Sequence, residues 1–376
     1  MDETFRIYER RIRSIDVIRG IAVIGMIYNH FGHALVNTAV LSPLTISILF
    51  PGIWGQGLFY GFVGVTTAMV DHRYRTKGVK EIAIWKRLLP RAGMILLMGY
   101  LLSIMMSGWR GVLDWSVLQL IAVSMVVSQL AMRVPSRYRI ALPVLVVAMT
   151  PVLQLWLNYD AVIAAPYQPP QNLLEHLSAM IATGKLPLFP WIAAPLIGTH
   201  IGETVVAPSQ QPLKLTKTSL VAGAVQLLCL PPLVFLAGDT LTQSPLTIGY
   251  FLMVNGLSLF IVAGVVTTVD LWRWRWSPIP EFCEMNGQIM LITYIGHMLY
   301  CPLLLSHTLG FIQNLEVVGF FLAVIGYFII SMIFAWFWLP YRRRHSSRVD
   351  YAATFILLAI GVTWRFVFAY LGIWSF

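Results

Sequence analysis

The stretch SIDVIRGIAVIGMIYNHFGH, residues 14–33, is long enough to cross a bilayer as a helix and is apolar apart from a few positions. Asp16 and Arg19 lie near its start, and His30 lies close to its end. His30 is eleven positions after Arg19, so the two share one helix face and are about 16 Å apart along the axis. Inserting an ionisable side chain into the hydrocarbon core costs about 2.5–3.5 kcal/mol on insertion scales. Such residues are therefore taken as candidates for a functional role. His30, which shares a helix face with the cationic Arg19, is therefore the first candidate for a catalytic residue.

The composition is that of a membrane protein. Of the 376 residues, 58% are hydrophobic and 11% are charged, whereas soluble domains carry about 25% charged residues. Apolar windows of about 20 residues recur along the chain, which predicts an all-α polytopic membrane bundle of about eleven transmembrane helices, forming a single domain over residues 1–376. The predicted spans are 17–38, 44–70, 91–107, 114–132, 140–157, 187–206, 218–237, 247–269, 286–306, 315–339 and 351–374.

The positive charge is distributed as in a membrane protein rather than in a nucleic-acid-binding protein. The net charge is +10, and 23 of the 26 Lys and Arg residues lie in six segments that fall on one side of the predicted spans. These segments are 6–19, 73–91, 133–139, 214–217, 273–275 and 342–348. By the positive-inside rule the N-terminus is cytoplasmic and, with eleven spans, Phe376 is outside. We expect a multi-pass protein of the inner or plasma membrane, with the lipid bilayer and no nucleic acid as a partner.

Polar residues inside the predicted spans are few, and they identify candidate functional positions. On the outer half of the spans they include Asn29, His30, His33, Gln56, Asp114, Gln119, Asn286, Gln288, Tyr294 and His297. His30 and His297 each lie about 16–20 Å from the cytoplasmic end of their spans, so they could meet in one cavity. A buried histidine often only donates to a neighbouring carbonyl, but a neutral imidazole can also take a proton from an attacking hydroxyl or amine.

Other motifs leave structural and functional interpretations open. Asp16 and Arg19 have the i, i+3 spacing of an ion pair at the cytoplasmic end of the span. Such a pair either stabilises the helix end and sets the topology or contacts a cofactor directly. Gly61 and Gly64 permit close backbone approach, between helices or towards a ligand. The segment 71–91 predicts an amphipathic helix at the membrane surface. The block YRRRHSSR, which contains Arg342, Arg343 and Arg344, is interpreted first as an orientation signal and second as a binding site. Cys229, Cys283 and Cys301 lack metal-like spacing, so we expect neither a disulfide nor a metal.

Four segments, in this order, resemble a known family. SIDVIRGIAVIGMIYNHF resembles the opening of the transmembrane acyltransferase superfamily, which joins acyltransferase-3 proteins and the catalytic region of heparan-alpha-glucosaminide N-acetyltransferases. Arg19 and His30 fit the family's pattern of an Arg, ten residues and a His. LFYGFVGVTTAMV, PLFPWIAAPLIG and NGQIMLITYIGHMLYCPLL are also similar, and Tyr294 and His297 in the last of these match a Tyr-x-x-His pattern.

The resemblance implies an acyl-CoA-dependent O- or N-acetyltransferase. The donor substrate would be cytoplasmic acetyl-CoA, and the acceptor an extracytoplasmic glycan, glycolipid or amino sugar of the cell envelope. His30 would be the catalytic base or the acyl carrier, with Arg19 orienting or neutralising the donor and His297 lining the same cavity. The candidates for substrate and donor binding are Asp16, Asn29, His33, Tyr294, Asn286, Gln288, Trp191, Arg87 and Arg91. A homodimer is a further expectation.

The alternative function is a proton-coupled secondary transporter of a small solute, because polar residues near the bilayer midplane also suit proton relays. Transporters of this kind usually contain internal repeats with paired broken helices, and no convincing repeat is found in the sequence. A purely structural membrane scaffold would not need two deep histidines.

Overall fold

Helices account for the regular structure of the chain. The computed structural model describes residues 13–36, 55–157, 170–184, 186–206, 212–239, 241, 246–272, 278–311, 315–345 and 348–371, and these contain no strand. Within this part of the chain, seven helical stretches are long and apolar enough to cross a membrane. The bent pair Pro278–Gln288 and Met290–Ser306 makes an eighth if it counts as one span. The prediction of a polytopic helical membrane protein is confirmed.

Each of the eleven predicted spans falls at least partly on a helix, but three of these helices are not apolar or long enough by themselves. The predicted first and second spans correspond to Arg13–Leu35 and Gly55–Thr76, which carry many polar residues, and the fourth corresponds to Val117–Ala131, which has only 15 residues. The count of eleven and the cytoplasmic N-terminus remain predictions. Residues 37–54, where the second span was predicted to begin, lie outside the described residues, as do Arg6, Arg10, Arg11, Lys185, Arg273 and Arg275.

The described residues divide into two compact units. The first unit comprises residues within Gly57–Tyr100 and Leu113–Trp274. The second unit comprises residues within Arg13–Gln56, Leu101–Val112 and Arg275–Phe376.

The first unit contains most of the helices. They are α2 (Gly55–Thr76), α3 (Glu81–Ser107), α4 (Val117–Ala131), α5 (Ser136–Arg139), α6 (Ala141–Trp156), α7 (Leu173–Ser178), α8 (Leu188–Trp191), α9 (Ala193–Val206), α10 (Pro212–Leu228), α11 (Leu230–Ala237) and α12 (Ile248–Val266). Of these, α2 and α3 each extend into residues of the second unit. Two π-helical turns, Ala179–Thr183 and Thr267–Leu271, follow α7 and α12. The surface helix predicted over 71–91 is not separate, because its second half continues into the third predicted span as one helix, α3.

Glycines bring α2 and α9 into backbone contact in the first unit. A Cβ atom added at Gly64 would overlap the carbonyl oxygen of Pro195, and one added at Gly198 would overlap that of Gly61. Small residues commonly allow such close helix packing in membranes. Of the two interpretations of Gly61 and Gly64, the structure supports helix packing.

A buried carboxylate ties the polar end of α2 to α4. Asp71 is 1% exposed and accepts hydrogen bonds of 2.6 Å from Arg75 and 2.6 Å from Gln129. Arg133 lies 3.8 Å from the same carboxylate and pairs with Glu81 at 2.8 Å. A buried charge is tolerated when it is paired and hydrogen-bonded in this way.

The second unit holds α1 and the C-terminal helices. These are α1 (Arg13–Leu35), α13 (Pro278–Gln288), α14 (Met290–Met298), α15 (Val317–His345) and α16 (Arg348–Tyr370), with a π-helical segment at Leu299–Thr308. Helix α1 packs against α13, α14, α15 and the π-helical segment. It is therefore a central helix of this unit although it comes first in the chain.

Backbone contact also joins α1 to α13. A Cβ atom added at Gly20 would overlap the carbonyl of Cys283, and one added at Gly287 would overlap the carbonyl of Asp16. Gly20 lies on α1 and Gly287 on α13, so each helix presents a flat backbone surface to the other.

The predicted span 286–306 is not straight. Helix α13 ends at Gln288, Ile289 has φ −109° and ψ 25°, and α14 starts at Met290. The angle between α13 and the stretch Met290–Ser306, which begins with α14, is 83°. No proline lies at the break, which follows Gly287 in the sequence MNGQIML. The bend separates Asn286 from His297, which a single straight helix would have placed on the same face.

Candidate active site

The two deep histidines meet in the second unit. Nδ1 of His30 on α1 lies 2.8 Å from Nε2 of His297 on α14, and the ring planes differ by 23°. His297 is 0% exposed, and His30 is partly buried. A contact of this length is a hydrogen bond, so one nitrogen carries the proton and the other supplies the lone pair. The pair therefore holds one proton between its rings, which excludes two imidazolium ions in this arrangement.

Aromatic rings surround His297. The ring of Tyr294 lies 5.2 Å from that of His297, and the ring of Tyr327 on α15 lies 6.4 Å from it. The Tyr327 hydroxyl donates a 2.6 Å hydrogen bond to the backbone carbonyl of Thr293, one turn before His297. Phe31 contacts both Tyr300 and Tyr327. The histidine pair is thus packed among aromatic rings in a weakly polar environment, in which electrostatic interactions are stronger than in water.

Asn29 and His33 flank His30 on α1. The Oδ1 atom of Asn29 is buried and has no hydrogen-bond partner among the described residues. An unsatisfied buried acceptor is costly and requires an explanation. His33 lies one turn beyond Asn29 and is exposed.

Arg19 is not next to the histidine pair. It lies 3.6 Å from Asp16, so the ion pair expected from the sequence is present. The Asp16 side chain is 6% exposed and that of Arg19 is 29% exposed. The helix geometry puts Arg19 about 16 Å from His30 along α1. Any role of Arg19 in donor binding would concern a part of the donor that is distant from the reacting carbon.

Asn286 and Gln288 lie before the bend and are engaged in helix contacts. Asn286 donates to the carbonyl of Phe282 at 2.9 Å and accepts from Ser331 on α15 at 2.9 Å. The side chain of Gln288 donates to Glu284 at 3.2 Å. The Asn286 side chain thus connects α13 to α15, whereas that of Gln288 bonds within α13. The proposed substrate contacts of both residues remain predictions.

Three candidates lie in the first unit. Trp191 is 0% exposed and packs between Tyr60 and Phe251 at ring distances of 5.1 and 5.5 Å. The Arg87 guanidinium lies over the ring of Tyr74 at 4.9 Å. Arg91 is exposed. Their proposed roles in binding remain predictions.

Sequence reasoning missed two residues that support the site. Tyr327 was indistinguishable from packing residues because it lies in a long apolar run, and Arg342 was interpreted as an orientation signal. Arg342 instead donates to the backbone carbonyl of Gln288 at the bend, at 2.7 Å. Neither contact has a sequence signal, because each joins segments that are more than 30 residues apart. In the described part of the chain, no cluster of three or more His, Cys, Asp or Glu residues could hold a metal ion.

Comparison with known protein families supplies the context for this geometry. Residues 11–236 match the family described as heparan-alpha-glucosaminide N-acetyltransferase, catalytic. The match contains Arg19, Asn29 and His30, whereas His297 lies beyond it. No curated protein matches the sequence. The match extends over more than half of the chain, and the chain therefore belongs to the heparan-alpha-glucosaminide N-acetyltransferase catalytic family.

Proposed function

We propose that this protein is a membrane acetyltransferase that moves an acetyl group from cytoplasmic acetyl-CoA to an amino sugar, glycan or glycolipid outside the cytoplasm. One observation carries the proposal: a histidine pair joined at 2.8 Å inside a membrane bundle, in a family named for acetyl transfer. The proposal includes eleven spans, a cytoplasmic N-terminus and a location in the cell membrane. A homodimer is compatible with it.

The hydrogen bond between the histidines suggests how His30 acts. When Nδ1 of His30 donates to Nε2 of His297, the second nitrogen of His30 carries a lone pair. This Nε2 atom takes the proton from the acceptor hydroxyl or amine as that group attacks the thioester carbonyl. The new C–O or C–N bond forms, the C–S bond breaks, and the proton passes from His30 to the CoA sulfur. His297 stabilises the transient imidazolium, because a charged donor strengthens the hydrogen bond.

The same nitrogen also allows a covalent route. Nε2 of His30 would attack the thioester and carry the acetyl group as an acyl-imidazole before the acceptor takes it. Rapid mixing with labelled acetyl-CoA in the absence of acceptor distinguishes the routes, because only the covalent route labels the protein.

Acetyl transfer by the purified protein tests the proposal. Protein in lipid nanodiscs is incubated with acetyl-CoA and an amino sugar, and thiol release and acetylated product are measured together. We expect both in equal amounts. A proton-coupled transporter would produce neither, and would instead move solute across proteoliposomes in response to a pH gradient. Acetylated product formed only when acetyl-CoA is on the Arg19 side of oriented vesicles would support the proposed sidedness.

The orphaned amide oxygen of Asn29 gives a separate prediction. We expect Asn29→Leu to lower kcat/KM about tenfold, because a buried acceptor that has no partner among the described residues is available to a substrate N–H or O–H group. Thermal stability should not fall, since the oxygen makes no hydrogen bond within the described structure. Asn286→Leu is the matched control. It should lower the melting temperature, because Ser331 would lose its acceptor. Unchanged kinetics of Asn29→Leu would remove Asn29 from the site.

A further inference from the structure

The bend between α13 and α14 leaves a backbone carbonyl that the helix cannot satisfy. In a continuous helix the carbonyl of Gln288 would accept from the amide four residues later, but α13 ends at Gln288 and the stretch that begins with α14 leaves at 83°. Gln288 is partly buried, so a donor from another segment that pairs with this carbonyl stabilises the bend.

Arg342 on α15 supplies this donor. Its Nη1 atom donates to the Gln288 carbonyl at 2.7 Å, and its Nε atom pairs with Asp350 on α16 at 2.8 Å. The second oxygen of Asp350 accepts from the indole of Trp338 at 2.9 Å. The Asp350 carboxylate thus neutralises the charge of the guanidinium. The planar guanidinium donates to two acceptors at once, the Gln288 carbonyl and Asp350, which a lysine cannot do in the same geometry.

A second set of polar contacts involves the Gln288 side chain at the same bend. The Gln288 side chain donates to Glu284, and Glu284 pairs with Arg13 at the start of α1 at 3.1 Å. The bend is therefore connected to α1, α15 and α16 through polar contacts. These contacts surround Gln288 rather than the histidines.

The bend determines where His297 lies. His297 follows Gln288 by nine residues, which is about 13 Å along α14. Rotating α14 by 10° at the bend would move His297 by about 2 Å, which is more than a hydrogen bond tolerates. The 2.8 Å contact between His297 and His30 thus depends on a fixed bend.

We propose that Arg342 is a positioning residue: by capping the Gln288 carbonyl it fixes the bend and, through the bend, the contact between His297 and His30. Its effect on turnover rests on the proposed acetyltransferase function, whereas its effect on the bend does not. The basic block 342–344 would then have two roles, since Arg343 and Arg344 are exposed and suit the orientation signal.

Kinetics of matched arginine variants test the functional half. Arg342→Ala should lower kcat at least about tenfold while changing the KM for acetyl-CoA less than about twofold, since the reacting geometry is lost and not the donor contact. Arg342→Lys should restore part of the loss. Arg343→Ala and Arg344→Ala remove the same charge from the same block and should leave kcat unchanged. An equal loss in all three alanine variants, or a rise in KM alone, would overturn the positioning role in favour of general charge or donor binding.

A distance measurement tests the structural half without acetyl transfer. Spin labels are placed on cysteines introduced at the exposed positions Ile279 and Leu309, on either side of the bend, with the exposed Cys229 replaced by serine. We expect the distance distribution to broaden in Arg342→Ala and to be unchanged in Arg343→Ala. Asp350→Asn, which retains the arginine, should broaden it to a smaller extent if Arg342→Ala fails to fold. A distribution identical to wild type in Arg342→Ala or in Asp350→Asn would refute the proposal, whether or not the protein transfers acetyl groups.

Discussion

Replacing His30 by alanine should lower the rate of acetyl transfer by about 10²–10⁴-fold, which is the usual contribution of a positioned general base. His30 is the member of the pair that is not fully buried, so it is the one that can reach a substrate. In the covalent route the same variant loses the acyl carrier, and the loss should be larger still. Initial rates of thiol release and product formation with purified protein measure the effect.

His33→Ala is the control for this prediction. His33 lies three residues further along α1 and is exposed, so its removal should reduce the rate far less than the removal of His30. His297→Ala should also lower the rate, and the double variant should be no slower than His30→Ala alone, because the two rings act as one unit. A His30→Ala protein with wild-type turnover would exclude His30 from the reaction.

Replacing Gly287 by alanine should prevent normal folding of the second unit. The new methyl group would occupy the position of the Asp16 backbone carbonyl, and a backbone atom cannot move aside as a flexible side chain can. Overpacking of a well-packed interior costs about 1–3 kcal/mol and sometimes more. We expect a large drop in the melting temperature and in the yield of monodisperse protein, and Gly20→Ala should behave in the same way because it meets the Cys283 carbonyl.

Gly93→Ala provides the comparison for the glycine variants. Gly93 lies within α3, and a Cβ atom added there meets nothing within 4 Å. Alanine in a helix interior is more favourable than glycine by about 1 kcal/mol, so this variant should be as stable as wild type or more so. Thermal unfolding followed by size-exclusion chromatography compares the three proteins. A Gly287→Ala protein with the wild-type melting temperature would show that α1 and α13 are not in backbone contact.

The fold class followed from the amino-acid sequence, because hydropathy is a local property. Runs of apolar residues between clusters of arginine and lysine indicate membrane helices whatever their neighbours are. The same reasoning was less successful for the span boundaries. Helix α1 carries Asp16, Arg19 and His30, which lower its hydropathy, and the segment around Arg87 is continuous with the third predicted span. A window of residues does not show which polar groups have partners inside the fold.

The candidate site could be predicted only partly from the sequence. His30 and His297 were recognisable as polar residues at similar depths in apolar stretches, and the structure brings them together. Asn286 and Gln288 had the same appearance in the sequence, but the bend places them in helix contacts of their own. The two amides and the two histidines have different surroundings because the chain changes direction at Ile289. No proline near Ile289 indicates this bend in the sequence.

Residue order alone thus established a polytopic helical membrane protein, its family resemblance and the two histidines most suited to chemistry. The bend at Gln288, the role of Arg342 and the backbone contact between Gly20 and Cys283 became apparent only from the folded chain. The physical reason is that hydropathy and helical spacing act over a few neighbouring residues. In contrast, a capped carbonyl or a hydrogen bond between imidazoles joins groups that are 54 or 267 residues apart, and it forms only when packing brings those segments together.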